Sequence, residues 1–157
     1  MRLIHPENLE DLAMGAAVLG TGGGGDPYIG KLMAIQAIRQ HGPVQLLGVD
    51  ELADDALVVP SAMMGAPTVM VEKVPSGEEI IEAFKALQEY LGRKIDATTS
   101  IEAGGLNSTT PFTVAASLGI PLVDAKERHV TGLPGDSNGH LHFYHAWSIG
   151  HTDVAGG

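Results

Sequence analysis

The chain contains no cysteine, so disulfide bonds, thiolate metal sites and a cysteine nucleophile are excluded. Aromatic residues make up only 4% of it, and Lys and Arg together number 9 against 19 Asp and Glu, which gives a formal net charge of −10. A chain this acidic lacks the basic face that nucleic acids and anionic membranes require. We therefore expect neither a nucleic acid nor a membrane as its partner.

Long hydrophobic runs are also missing. No apolar stretch approaches the length of a transmembrane helix, and the first residues lack the uninterrupted apolar segment of a signal peptide. We expect a cytoplasmic protein. The 157 residues suit one domain with a hydrophobic core, and 44% apolar residues is ordinary for a globular protein.

Glycine, by contrast, is abundant, with 21 residues, and four of them are consecutive in the segment Gly20–Asp26. Unshielded backbone N–H groups and freedom to adopt positive φ allow such a segment to fold around a small ligand. Asp26 stands where a helix N-cap is expected, and Pro27 occupies the first helical position. The segment predicts a ligand-binding loop, and a plain connector between two helices is the alternative.

Hydrophobic spacing predicts the secondary structure. Helices are expected over about residues 6–18, 27–40, 77–91 and 110–118, and strands over about 44–49, 56–60, 97–101 and 120–124. This order predicts an α/β fold, with a mainly parallel sheet flanked by helices and an N-terminal helical pair joined by the Gly-rich loop. Ligands bind beyond the carboxyl ends of the strands in such sheets, which is where the loops 61–67 and 102–108 and the residues from 124 onward lie.

Three segments carry a resemblance to a known family. They are Leu19–Tyr28 (LGTGGGGDPY), Ala62–Pro67 (AMMGAP) and Glu102–Ser108 (EAGGLNS). Together they resemble the DUF917 family, the N-terminal domain of S-methyl thiohydantoin desulfurase-like, hydantoinase-related proteins, over about residues 1–124. The resemblance implies a cytoplasmic hydrolase that acts on a five-membered hydantoin-type ring with loss of a thiol. It also implies a longer protein with a further C-terminal domain.

The catalytic candidates are carboxylates, because hydrolysis of such a ring needs a base that activates water. Glu102 follows a predicted strand, Asp124 ends one, and Asp26 follows the glycines. The alternative for Asp26 is a helix cap, and one alternative for Asp124 is a contact to a neighbouring loop. The Asn107 amide suits recognition of ring N–H and C=O groups, with a turn residue as the alternative. The predicted substrate-binding residues are Gly22, Gly23, Gly24, Gly25, Met63, Met64, Gly65, Gly104, Gly105 and Asn107.

The residues after Asp124 depart from the family pattern. We therefore divide the chain into a family domain over 1–124, which we expect to be incomplete, and an atypical tail over 125–157. His140, His142 and His145 in the tail offer imidazoles for Zn²⁺. One alternative is that these histidines belong to a native tail, where they are exposed to solvent or have hydrogen-bond partners. The interpretation we favour is that the tail is read from a shifted frame that begins near 125–128, because codon degeneracy permits such a shift. We assign no metal ligand and no cofactor.

Three functions remain open at this point. The chain is the N-terminal domain of a hydantoin-type hydrolase relative, or a truncated and catalytically inactive fragment that only binds a ligand or partner, or a phosphometabolite-binding module that uses the glycine loop. The expected partners are a small-molecule substrate and either a second copy of the chain or the missing C-terminal domain. An exposed apolar patch would mark the surface that such a partner covers.

Overall fold

One mixed sheet organises the molecule. The computed structural model describes residues 1–65, 72–73, 75–126 and 146–149. The strands are β1 (Arg2–Ile4), β2 (Val44–Leu47), β3 (Val58–Met64), β4 (Ala97–Ser100), β5 (Leu122–Lys126) and β6 (Ala146–Ile149), in the order β1-β2-β5-β4-β3-β6. β1 runs antiparallel to β2, and the other neighbouring pairs are parallel. The predicted α/β fold with a mainly parallel sheet is confirmed.

Four α-helices lie in the described part of the chain: α1 (Leu9–Gly20), α2 (Pro27–His41), α3 (Glu78–Leu91) and α4 (Thr110–Leu118). Short 3-10 helices cover Pro6–Asn8, Val49–Glu51 and Gly105–Ser108. Among these described helices, none combines the length and apolar character needed to cross a bilayer. The helices form where the hydrophobic spacing predicts them, because that spacing places one apolar stripe against the sheet.

The main core lies between the helices and one face of the sheet. Val44 and Leu122 pack there with residues of α1, α2 and α4, and Leu57 and Val59 pack with α3. Since side chains alternate along a strand, Val58 and Val123 belong to a separate small cluster on the opposite face. On β5, Leu122 therefore points to the helical face.

Several boundaries differ from the prediction. The third strand extends to Met64 and is paired with β4 and β6, so Met63 and Met64 lie in a strand and not in a loop. Sequence spacing missed this because the small residues Ser61 and Ala62 resemble a turn, whereas pairing on both sides keeps them extended. The strand predicted over 120–124 is β5, displaced toward the carboxyl end, because the backbone N–H of Ile120 still donates to Ala115 at the end of α4.

Smaller differences occur at the chain start and at helix ends. β1 was not predicted, because three residues are too few for a periodic signal. The first helix begins as a 3-10 turn at Pro6 and becomes α-helical only at Leu9, and Thr109 is the N-cap of α4.

Candidate functional site

The glycine segments before α2 and after β4 are in direct contact through their backbones. The N–H of Leu106 donates to the carbonyl oxygen of Gly24 at 2.8 Å. A Cβ atom on Gly105 would lie 2.3 Å from that same oxygen, and one on Gly104 would lie 2.8 Å from the Cα of Gly20. Both distances are below any real Cβ contact, so these glycines are required for the close approach of two chain segments.

Asn107 fastens the same region to β3. Its Oδ1 accepts from the N–H of Met63 at 2.8 Å, and its Nδ2 donates to the Met63 carbonyl oxygen at 3.2 Å and to Glu102 Oε1 at 3.0 Å. Asn107 is only 6% exposed, and its amide oxygen and nitrogen both have protein partners. The three segments that carry the family resemblance thus meet at the carboxyl ends of β3 and β4.

Two serines complete the turn that follows β4. Ser100 Oγ donates to the carbonyl oxygens of Glu102 and Asn107, at 2.5 and 3.0 Å. Ser108 Oγ accepts from the N–H of Gly104 at 2.7 Å. These bonds hold the turn 102–108 in one shape and position its outer side next to α1.

A cavity of about 600 Å³ lies between α1 and the carboxyl ends of β4 and β5. Its volume falls within the range of about 300–1,000 Å³ that is usual for small-molecule sites. The walls are mainly apolar. They are formed by Leu12, Gly15, Ala16, Leu19, Leu46, Val49, Ser100, Ala103, Ser108, Pro111, Phe112, Leu122, Val123, Asp124 and Ala125.

Among the described residues of this lining, Asp124 is the one that is ionisable. It follows the buried Leu122 by two positions on β5, and it is itself exposed. The residue therefore stands where the cavity meets solvent. This is the carboxyl end of a parallel strand, the place where α/β folds bind ligands.

The other two predicted acids have protein partners. Asp26 Oδ1 accepts from the N–H of Tyr28 at 2.8 Å and caps α2, so the helix-cap interpretation holds for this residue. Glu102 is exposed and its Oε1 accepts from Asn107. Neither residue lines the cavity, and their catalytic role stays a prediction.

None of the predicted substrate-binding residues belongs to the cavity lining. Gly22, Gly23, Gly24 and Gly25 are absent from the residues that form its walls, and so are Met63, Met64, Gly65, Gly104, Gly105 and Asn107. Around Gly22 a Cβ would meet no atom within 4 Å. Binding by these residues stays a prediction.

Sequence reasoning missed a buried lysine behind the glycine segment. Lys31 is 7% exposed, its Nζ lies 2.7 Å from Glu10 Oε2, and the same atom lies 4.6 Å from the centre of the Tyr28 ring. The ion pair joins α1 to α2 across residues 21–26. The i, i+3 spacing of Tyr28 and Lys31 was a visible signal, but nothing local pointed to Glu10.

No group of three or more His, Asp or Glu residues in the described part of the chain could hold a metal ion. The tail histidines, including His140, His142 and His145, lie outside the described residues.

Comparison with known proteins gives a family and a similar solved structure. The family model described as S-Me-THD-like, N-terminal domain, matches residues 7–127. The X-ray crystal structure of a protein from Chromobacterium violaceum is similar with a TM-score of 0.62 and 31% sequence identity, over 80% of this chain and 35% of that chain. The chain thus spans about a third of the length of that protein. No curated protein matches the chain.

Proposed function

Since the chain belongs to the S-Me-THD-like family through its N-terminal domain, we propose that it binds a thiohydantoin- or hydantoin-like ring in the cavity beside Asp124. The activity we propose for the protein that contains this domain is hydrolysis of that ring system. One observation carries the proposal: Asp124 is the one carboxylate among the described residues that line this mainly apolar cavity, and it stands at the opening.

The chemistry of the cavity suits such a ring. An ionised carboxylate only accepts hydrogen bonds, and a five-membered hydantoin-type ring presents N–H donors to it. The faces of the ring are flat and weakly polar, so they can pack against Leu12, Leu19 and Phe112, which line the cavity. Sites for small molecules commonly combine apolar walls with a few polar groups that fix the orientation of the ligand.

In the hydrolytic reaction, water adds to the ring carbon that bears sulphur. The C–S bond then breaks, the thiol leaves with a proton, and a carbonyl group remains on the ring. Asp124 is the candidate general base, because its carboxylate can accept the proton of the attacking water.

Isothermal titration with S-methyl thiohydantoin and with unsubstituted hydantoin tests the binding step. Asp124→Asn keeps the shape of the side chain and removes its charge, and we expect it to weaken binding by about tenfold or more, the value of one hydrogen bond to a charged group. Asp26→Asn is the matched control, because asparagine also caps helices and residue 26 lies outside the cavity lining. Equal affinities of the Asp124→Asn variant and the unchanged chain would reject Asp124 as the anchor.

A chain that binds without turnover is the second candidate, since it spans only about a third of the similar solved protein. Release of methanethiol, measured with a thiol reagent in the same samples, separates the two. Binding with thiol release supports a competent hydrolase domain. Binding without thiol release supports a ligand-binding fragment.

A phosphometabolite site at the glycine segment finds less support in the geometry. The N–H of Gly23 already donates to the Gly20 carbonyl oxygen at 2.8 Å, and the Asp26 carboxylate caps the helix that an anion would approach. Titration with inorganic phosphate provides the test. Binding that is lost in Gly23→Val would favour the phosphate site over the cavity.

A further inference from the structure

The outer face of α1 is apolar although it is exposed. Met14 and Val18 are 62% and 71% exposed, and Leu19 is 60% exposed. From Leu12 to Leu19 the helix carries no polar side chain. A helical stretch that is apolar on all sides is normally covered on all sides. In this stretch, which follows a first turn with Glu10 and Asp11, only the face that includes Ala13 and Ala16 is buried within the described structure.

The exposed apolar surface continues across the opening of the cavity. Val49, on the other side of that opening, is 38% exposed, and both Val49 and Leu19 line the cavity. Met14, Val18, Leu19 and Val49 form what we call the α1 patch. Contiguous exposed apolar surface of this kind marks a site of interaction with another protein surface.

We propose that the α1 patch is the docking surface for the further domain of longer proteins in this family. The matched region is described as an N-terminal domain, and 80% of this chain corresponds to only 35% of the Chromobacterium violaceum protein. That protein therefore contains a large additional part which can cover the patch. A second copy of this chain is the less favourable occupant, because two chains with a formal charge of −10 repel each other.

The position of the patch has a consequence for the cavity. Because Leu19 and Val49 belong both to the patch and to the cavity lining, the docked domain closes the cavity from outside. Docking itself does not depend on which ligand the cavity binds, so the proposal stands or fails separately from the proposed function.

The intact Chromobacterium violaceum protein provides the decisive test. Glutamate is introduced at the two positions that align with Met14 and Val18, and thermal unfolding is measured. We expect the unfolding temperature to fall by about 5 °C or more, because buried apolar contacts are replaced by charges. Glutamate at the position that aligns with Tyr90, which is 86% exposed on α3 here, is the matched control. A fall no larger than that of the control overturns the proposal.

Experiments on the 157-residue chain show which partner occupies the α1 patch. Light scattering during size-exclusion chromatography, with an apolar dye as a second readout, compares the unchanged chain with Val18→Glu and Tyr90→Glu. We expect dye fluorescence to fall several-fold in Val18→Glu and not in Tyr90→Glu. A discrete dimer that Val18→Glu dissociates would identify a second copy as the occupant and would overturn the proposal.

Discussion

Helices α1 and α3 pack against the same sheet but differ on the side that faces away from it. In α3, Ile80 and Phe84 are buried, and the exposed positions carry the charged residues Glu78, Glu79, Glu82, Lys85 and Glu89. In α1, Leu9 and Ala13 are buried, and the exposed positions include Met14 and Val18. The inner faces follow the same spacing, but α1 carries exposed charges, Glu10 and Asp11, only in its first turn, and its exposed positions from Met14 to Leu19 have no polar side chain. The difference supports the proposal that the exposed face of α1 is a docking surface.

The largest effect is expected on the inner face, where the two helices should behave alike. Phe84→Ala and Leu9→Ala remove side chains that are 0% exposed, and we expect each to lower the free energy of unfolding by about 3–5 kcal/mol. Urea unfolding followed by circular dichroism measures it. Tyr90→Ala, on the exposed side of α3, is the control with an expected change of about 0.5 kcal/mol or less. A similar small change for Leu9→Ala would show that α1 contributes little to the core.

Substitution of a glycine at the end of α3 and of one that packs against the end of α1 should cost different amounts of stability. Gly92 ends α3 with φ +62° and open space around a Cβ, whereas Gly105, against which the end of α1 packs, combines φ +58° with a Cβ position 2.3 Å from Gly24 O. Gly92→Ala should cost only the left-handed conformation, about 1–2 kcal/mol. Gly105→Ala adds overpacking and should cost about 3 kcal/mol in total. Equal losses in urea unfolding would mean that the contact between the two glycine segments is easily relaxed.

The outer face of α3 can be given the character of α1. Glu82→Leu together with Glu89→Leu removes two exposed charges, one of them paired with Lys85 at 2.7 Å. Exposed ion pairs contribute about 0–1 kcal/mol, so stability should change by less than about 1 kcal/mol. Binding of an apolar dye should rise toward the level that the α1 patch produces. An unchanged dye signal would argue that the exposed side chains of α1 do not differ in kind from those of α3.

The smallest effect concerns pH. A hydrogen bond from the N-terminal ammonium of Met1, followed by one from the Gly48 N–H, lowers the pKa of Glu51. A carboxyl whose pKa is lowered in the folded state stabilises that state above its unfolded pKa, and this contribution is lost as the pH falls through the lower folded value. We expect Glu51→Gln to reduce the acid-dependent loss of stability slightly. The acid limb of an unfolding curve measured against pH tests this, and Asp50→Asn is the control.

The glycines show how far sequence reasoning reaches at the site. Their abundance pointed correctly to close approaches of the backbone, and the three resembling segments do lie together. The identity of the partner was not visible, because Gly20 and Gly24 meet Gly104 and Gly105 from a distant part of the chain. Of the residues predicted to form the site, Asp124 lines the cavity, since the end of a parallel strand can be placed from the strand pattern alone.

Local chemistry in the sequence determined where helices start and stop. Asp26 caps α2, and Gly92 and Gly119 end α3 and α4 in the left-handed conformation, so these limits depend on neighbouring residues only. The alternation of strands and helices likewise determined the α/β class. Only the tertiary structure decided that β3 continues to Met64, that the cavity opens beside α1, and that Asn107 binds β3. Each of these depends on contacts between segments far apart in the chain, which local spacing does not encode.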